Sequence, residues 1–126
     1  MERAYAYLRV STEEQNEENQ LKEVEGYAHE LGLEVVETYR EHGVSAWKKK
    51  TRRVFNRMLK KAVREGIEHI VVWDFDRVER NRRRFIELVR ALRREGIRLH
   101  SVRQRWLEEL NQIPEPWGEI VGDLML

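Results

Sequence analysis

Three times in this chain a helical stretch ends on a glycine and an apolar run starts at once: ELGLEVV (30–36), REGIEHI (64–70) and REGIRLH (94–100). Glycine adopts the left-handed C-cap conformation without a steric penalty, so each glycine stops a helix and the run behind it reads as a strand. Strands separated by helices cannot pair as hairpins. They lie parallel, with the helices as crossovers on the faces of the sheet. The expected fold class is therefore α/β: a three-layer domain with a mostly parallel central sheet of about four strands and flanking helices.

The remaining segments fit that frame. Arg3 to Val10 alternates around Tyr5, Tyr7 and Val10 and reads as the first strand. Ser11 or Thr12 stands where a helix N-cap belongs, with Glu13 and Glu14 in the first turn. Leu21, Val24, Ala28 and Leu31 recur at helical spacing up to Gly32, and LEVVETY (33–39) is a second strand. The stretch 41–51 has no period and reads as an exposed loop. Phe55, Met58, Leu59, Ala62 and Val63 mark the core face of a second helix. IEHIVVWDF (67–75) is the most apolar run and is expected to be a buried central strand. Phe85, Leu88, Val89 and Leu92 form the stripe of a third helix, and IRLHSV (97–102) is a fourth strand. A loop with Pro114 and Pro116 follows, then the first turns of another helix in GEIVGDLML. We take residues 1–113 as one domain and 114–126 as the start of a C-terminal helix that is cut off, with no separate DNA-binding domain.

A chain of 126 residues with no cysteine excludes a disulfide framework and a thiolate metal site. Its four histidines do not cluster in sequence. There is no apolar run of about 18 residues and no signal peptide at MERAYAYLRV, so no membrane role and a cytoplasmic location are expected. The net charge of +1 hides a strong segregation. Residues 1–45 carry 4 Lys/Arg against 11 Asp/Glu, residues 46–105 carry 20 against 7, and residues 106–126 carry none against 5. A basic middle of this kind is either a nucleic-acid footprint or a set of solvated helix faces.

In open parallel sheets, chemical groups gather at the carboxyl ends of the strands. That rule selects Arg9 and Ser11 after the first strand, and Asp74, Asp76 and Arg77 after the third. A guanidinium and a helix N-terminus beside Ser11 favour an anion there, within reach of the hydroxyl, although a serine at that place is also an ordinary helix cap. In WDFDRVERNRRRF (73–85), Arg77 and Arg80 share a face if a helix has begun. Guanidinium forks aimed at phosphate oxygens are what phosphoryl transfer needs. Asp76 either orients Arg77 by ion pairing or donates a proton to a leaving oxygen. In KKKTRRVFNRMLKK (48–61), one arginine reaches the same phosphate, and spacing does not choose which.

Taken together, YLRVST (7–12), TRRVFNRML (51–59) and FDRVER (75–80) resemble, in order and spacing over the whole chain, the serine recombinase (resolvase/invertase) family and its N-terminal catalytic domain. The resemblance implies a resolvase-like fold and a site-specific DNA recombinase. Ser11 matches the nucleophile that attacks a DNA phosphodiester to give a 5′-phosphoserine intermediate, followed by strand exchange and religation. Arg9, Arg52, Arg77 and Arg80 match the phosphate-binding arginines, and Asp76 the carboxylate beside them. Gln20, Arg53, Arg83 and Arg84 are candidate substrate contacts. Glu79 stands where the family commonly has glycine, and Arg53 where it commonly has proline. The resemblance further implies DNA as partner, a homodimer or tetramer in the active form, no cofactor and no metal. Four strand signals and three amphipathic helices give a closed core, so these 126 residues are expected to fold, while the resemblance implies that they do not recombine DNA alone. The rival readings are a metal-dependent nuclease or phosphotransferase using Asp74 and Asp76, and a non-catalytic nucleic-acid-binding module.

Overall fold

The computed structural model describes residues 1–10, 17–42, 52–75, 79 and 81–112. Within them the order is β1 (Glu2–Val10), α1 (Glu17–Glu30), β2 (Leu33–His42), α2 (Arg53–Glu65), β3 (His69–Val72), α3 (Arg82–Arg94), β4 (Arg98–Ser101) and a short α4 (Leu107–Asn111). The four strands form one sheet in the order β2-β1-β3-β4, and every pairing is parallel. The three helix-closing glycines all lie at positive φ: 75° at Gly32, 68° at Gly66 and 76° at Gly96. At Gly66 the backbone N–H turns back to Ala62 and Val63 carbonyls, so the left-handed geometry satisfies the last turn of α2.

Both faces of β1 are covered, and its side chains are sorted by the period of two. Ala4, Ala6 and Leu8 face α1 and pack with Val24, Tyr27 and Ala28. The small alanines allow the helix to lie close. Tyr5 and Tyr7 face the opposite layer, with Phe55, Met58, Phe85 and Val89. Tyr7 meets Phe55 edge-on, with ring centroids 4.9 Å apart, a geometry worth about 0.5–1.5 kcal/mol beyond simple burial. This packing fixes β1 against α2, and β1 ends at the residue before Ser11.

Several expectations need correction. β2 runs to His42, so Glu41 and His42 belong to a strand and not to the loop expected at 41–51. β3 spans only His69–Val72 of the apolar run 67–75, because its ladder with β1 covers only Ala4 to Tyr7. Val63 is 46% exposed and does not belong to the core face of α2, whereas Ile86, unmarked in the third stripe, is buried. The short α4, with Leu107 and Leu110 buried, has no counterpart in the expected elements. The expected cap at Ser11 or Thr12, most of the loop 41–51 and the helix from Gly118 lie outside the described residues. Among the described residues, no helix is long and apolar enough to cross a membrane.

Candidate active site

The carboxyl ends of β1 and β2 bring together a buried polar group. Arg9 pairs in register with Glu41 across the parallel ladder, and both are about 95% buried. The Arg9 Nη1 to Glu41 Oε1 distance is 3.8 Å. Tyr7, two residues before Arg9 and so on the same face, donates its hydroxyl to Glu41 Oε1 at 2.5 Å. Burial and then the Glu41 hydrogen bond push the Tyr7 phenol well above its ordinary value, so it stays a donor throughout the working pH range.

Glu41 also completes α2. That helix has no side-chain cap from Arg52 and no acidic residue in its first turn. Its orphan N–H groups at Val54 and Phe55 donate instead to Glu41 Oε2 and Oε1, at 3.0 and 3.3 Å. A carboxylate at this place meets both the unpaired donors and the positive end of the helix dipole. One side chain thus ties Arg9, Tyr7 and the start of α2 into a unit. Glu41→Ala is expected to lower unfolding stability by about 3 kcal/mol, since it strands buried donors, as read by chemical denaturation.

Arg52 sits at the cap position of α2, 8% exposed, with its guanidinium 5.9 Å from the Phe55 ring centroid. Its Nη1 lies 3.8 Å from Oε1 of Glu79, which is 3% exposed. Glu79 is anchored in turn, its N–H donating to the Phe75 carbonyl at 2.8 Å and its Oε2 accepting from the Asn81 N–H at 3.4 Å. Each described candidate phosphate-binding arginine therefore has a buried carboxylate at 3.8 Å. A carboxylate at that distance orients the guanidinium by its charge.

The other candidates distribute as follows. Gln20 is buried in α1. Arg53 is exposed at the first position of α2. Arg83 and Arg84 are exposed in the first turn of α3, where Asn81 caps by accepting from the Arg84 N–H at 3.0 Å. Asp74 accepts from Gln104 Nε2 at 2.8 Å and lies 4.0 Å from Arg103 Nε, so protein donors already serve its carboxylate. That gives no support to a metal held by Asp74 and Asp76. Ser11, Asp76, Arg77 and Arg80 lie outside the described residues. Glu41, and the role of Glu79 as the partner of Arg52, are not legible in the sequence. An α2 without a cap of its own calls for a remote acceptor, but nothing in the sequence names which one.

The family model "Resolvase, N terminal domain" matches residues 4–123. A search of curated proteins finds no match. Among solved structures, the N-terminal catalytic domain of TP901-1 integrase is similar, with a TM-score of 0.74 and 21% identity over 98% of this chain and 91% of that one. A resolvase family site-specific recombinase from Streptococcus pneumoniae gives 0.70 and 23%, covering 99% and 85%. A serine recombinase from Sulfolobus solfataricus gives 0.61 and 23%, covering 98% and 78%. At these identities the structural likeness is one of fold.

Proposed function

This chain belongs to the resolvase family as its N-terminal domain, a site-specific recombinase catalytic domain acting on DNA, and from that premise we propose that the carboxyl ends of β1 and β2 form its phosphate-cleaving face, with Ser11 as nucleophile. The observation that carries this reading is Arg9. It is a cation held in the protein interior by Glu41, two residues ahead of Ser11 and close to the start of α2, where Arg52 stands. A buried guanidinium oriented by a carboxylate and facing a strand end is suited to a phosphate oxygen and unusual as mere surface charge.

In the proposed step the Ser11 oxygen forms a bond to phosphorus, its hydroxyl proton passes to solvent water, and the bond from phosphorus to the 3′-oxygen breaks. Asp76 supplies the proton to that leaving oxygen. Arg9, Arg52, Arg77 and Arg80 hold the charge that grows on the non-bridging oxygens. One phosphodiester replaces another, so religation runs back through the same step without an external energy source. Gln20, Arg53, Arg83 and Arg84 serve the DNA around the scissile phosphate. Subunits pair through the segment 114–126, and strand exchange is the work of a dimer or tetramer in the cytoplasm.

The test is incubation of the recombinase with supercoiled DNA carrying its mapped site, in excess EDTA, followed by denaturing electrophoresis. A protein–DNA adduct that survives denaturation is expected. Strand cleavage that appears only with added Mg²⁺ and leaves no adduct would overturn the proposal.

A further inference from the structure

At the opposite end of the sheet lies a second polar cluster that the proposed reaction does not use. His69 opens β3 and is 5% exposed. Its Nδ1 is 2.9 Å from His100 Nε2 on β4, and the two rings are stacked. His100 Nδ1 is 2.7 Å from Glu108 Oε2, and the same oxygen accepts from the Tyr27 hydroxyl at 2.9 Å. At the outer end, His69 Nε2 is 3.2 Å from Oε2 of Glu2, the first residue of β1. One ligand atom from each of Glu2, Glu68 and His69 lies within 4.8 Å of the others.

The polarity of this chain follows from which groups can donate. An ionised carboxylate only accepts, so Glu108 takes the Nδ1–H of His100. A neutral His100 then offers Nε2 as acceptor, and His69 must donate from Nδ1. A neutral His69 is left with a lone pair on Nε2, facing a Glu2 oxygen at 3.2 Å. Two acceptors confront each other, and the contact closes only around a positive centre. A single proton would need one acceptor there. Glu68 brings a second carboxylate within 4.8 Å of the same nitrogen, so a positive centre there would have three ligand atoms to share.

We infer that Glu2, Glu68 and His69 bind a divalent transition-metal ion of the zinc class, with water completing its coordination. One imidazole nitrogen and two carboxylates suit such an ion. Four-coordinate nitrogen and oxygen ligands at about 2.0–2.2 Å from zinc sit about 3.3–3.6 Å apart. Glu2 and Glu68 are exposed and free to close that difference by rotamer changes. The ligand ring is already held from behind, because its other nitrogen hydrogen-bonds to the buried His100, which is held in turn by the half-buried Glu108 and by Tyr27. That arrangement fixes the tautomer and orientation of a metal-bound histidine. The ion would clamp the start of β1 to the start of β3, far along the sheet from Arg9, and so stabilise the fold without entering the chemistry.

The test is calorimetric titration of the chelator-treated protein with Zn²⁺, with Co²⁺ absorption as a second readout. One ion per chain is expected, with a Kd below about 100 μM. Glu2→Gln and Glu68→Gln, both at exposed positions, should each weaken binding at least about tenfold while the circular dichroism spectrum stays unchanged. DNA adduct formation should be unaffected by either variant, so this inference and the catalytic one fail independently. A Kd of about 100 μM or weaker, or binding indifferent to both variants, would overturn the assignment. So would an imidazolium at His69 in the Zn²⁺-titrated protein, seen by nitrogen NMR.

Discussion

Ser11→Ala is expected to eliminate the covalent DNA adduct and to lower recombination by about four orders of magnitude or more, the scale on which nucleophile loss acts in covalent catalysis. The competing role for Ser11 is a helix cap. Loss of a cap costs about 1 kcal/mol of stability and leaves chemistry intact. The two roles therefore separate cleanly: the alanine variant should unfold within a few degrees of the parent, bind DNA with the same salt dependence, and cleave nothing. Ser11→Cys offers a softer nucleophile at the same position, and a trace of thiol-linked adduct would place the reacting atom further.

Arg9→Ala should reduce the cleavage rate at least a hundredfold, the effect of removing one preoriented charge from a phosphate site. Arg9→Lys should recover little of this, because a single ammonium cannot present the planar fork of a guanidinium. Arg9 lies in the interior beside Glu41, so its removal also has a structural consequence. Glu41 keeps its hydrogen bonds from Tyr7, Val54 and Phe55, which holds the expected stability loss to about 2 kcal/mol, below that of a buried carboxylate left wholly unpaired. A variant that still melts cooperatively yet fails to cleave at a temperature where it is folded assigns the loss to chemistry. Near-parental cleavage by Arg9→Ala would remove Arg9 from the site.

Much of this fold is legible because its punctuation is local. Gly32, Gly66 and Gly96 each close a helix by a backbone conformation that depends on few neighbours, and all three lie at positive φ. Parallel order follows from the crossovers they delimit. Strand limits are less legible, since a strand ends where its partner ends: Ile67 to Phe75 is one apolar run, but the ladder on β1 stops it at Val72. Glu41 illustrates the same limit at the site. A charged residue in YREHG reads as exposed, and only the register that sets Arg9 beside Glu41, 32 positions later, makes it an interior partner. The family resemblance marks Arg9 and Arg52 as candidates, because residue type and order suffice for that. The carboxylates that hold them come from β2 and from Glu79 ahead of α3, and those neighbours are products of tertiary packing. Glu79 is the sharpest case: it stands where glycine is common in the family, yet it is buried against Arg52.

The proposed reaction turns on one covalent bond, and its location is directly measurable. The trapped adduct, digested with nuclease and trypsin, should yield the peptide Val10–Lys22 carrying a nucleotide phosphate. Fragmentation distinguishes Ser11 from Thr12 within it. The phosphate is expected on Ser11. A phosphate on Thr12 or on Ser45, or an adduct formed equally well by Ser11→Ala, would contradict it.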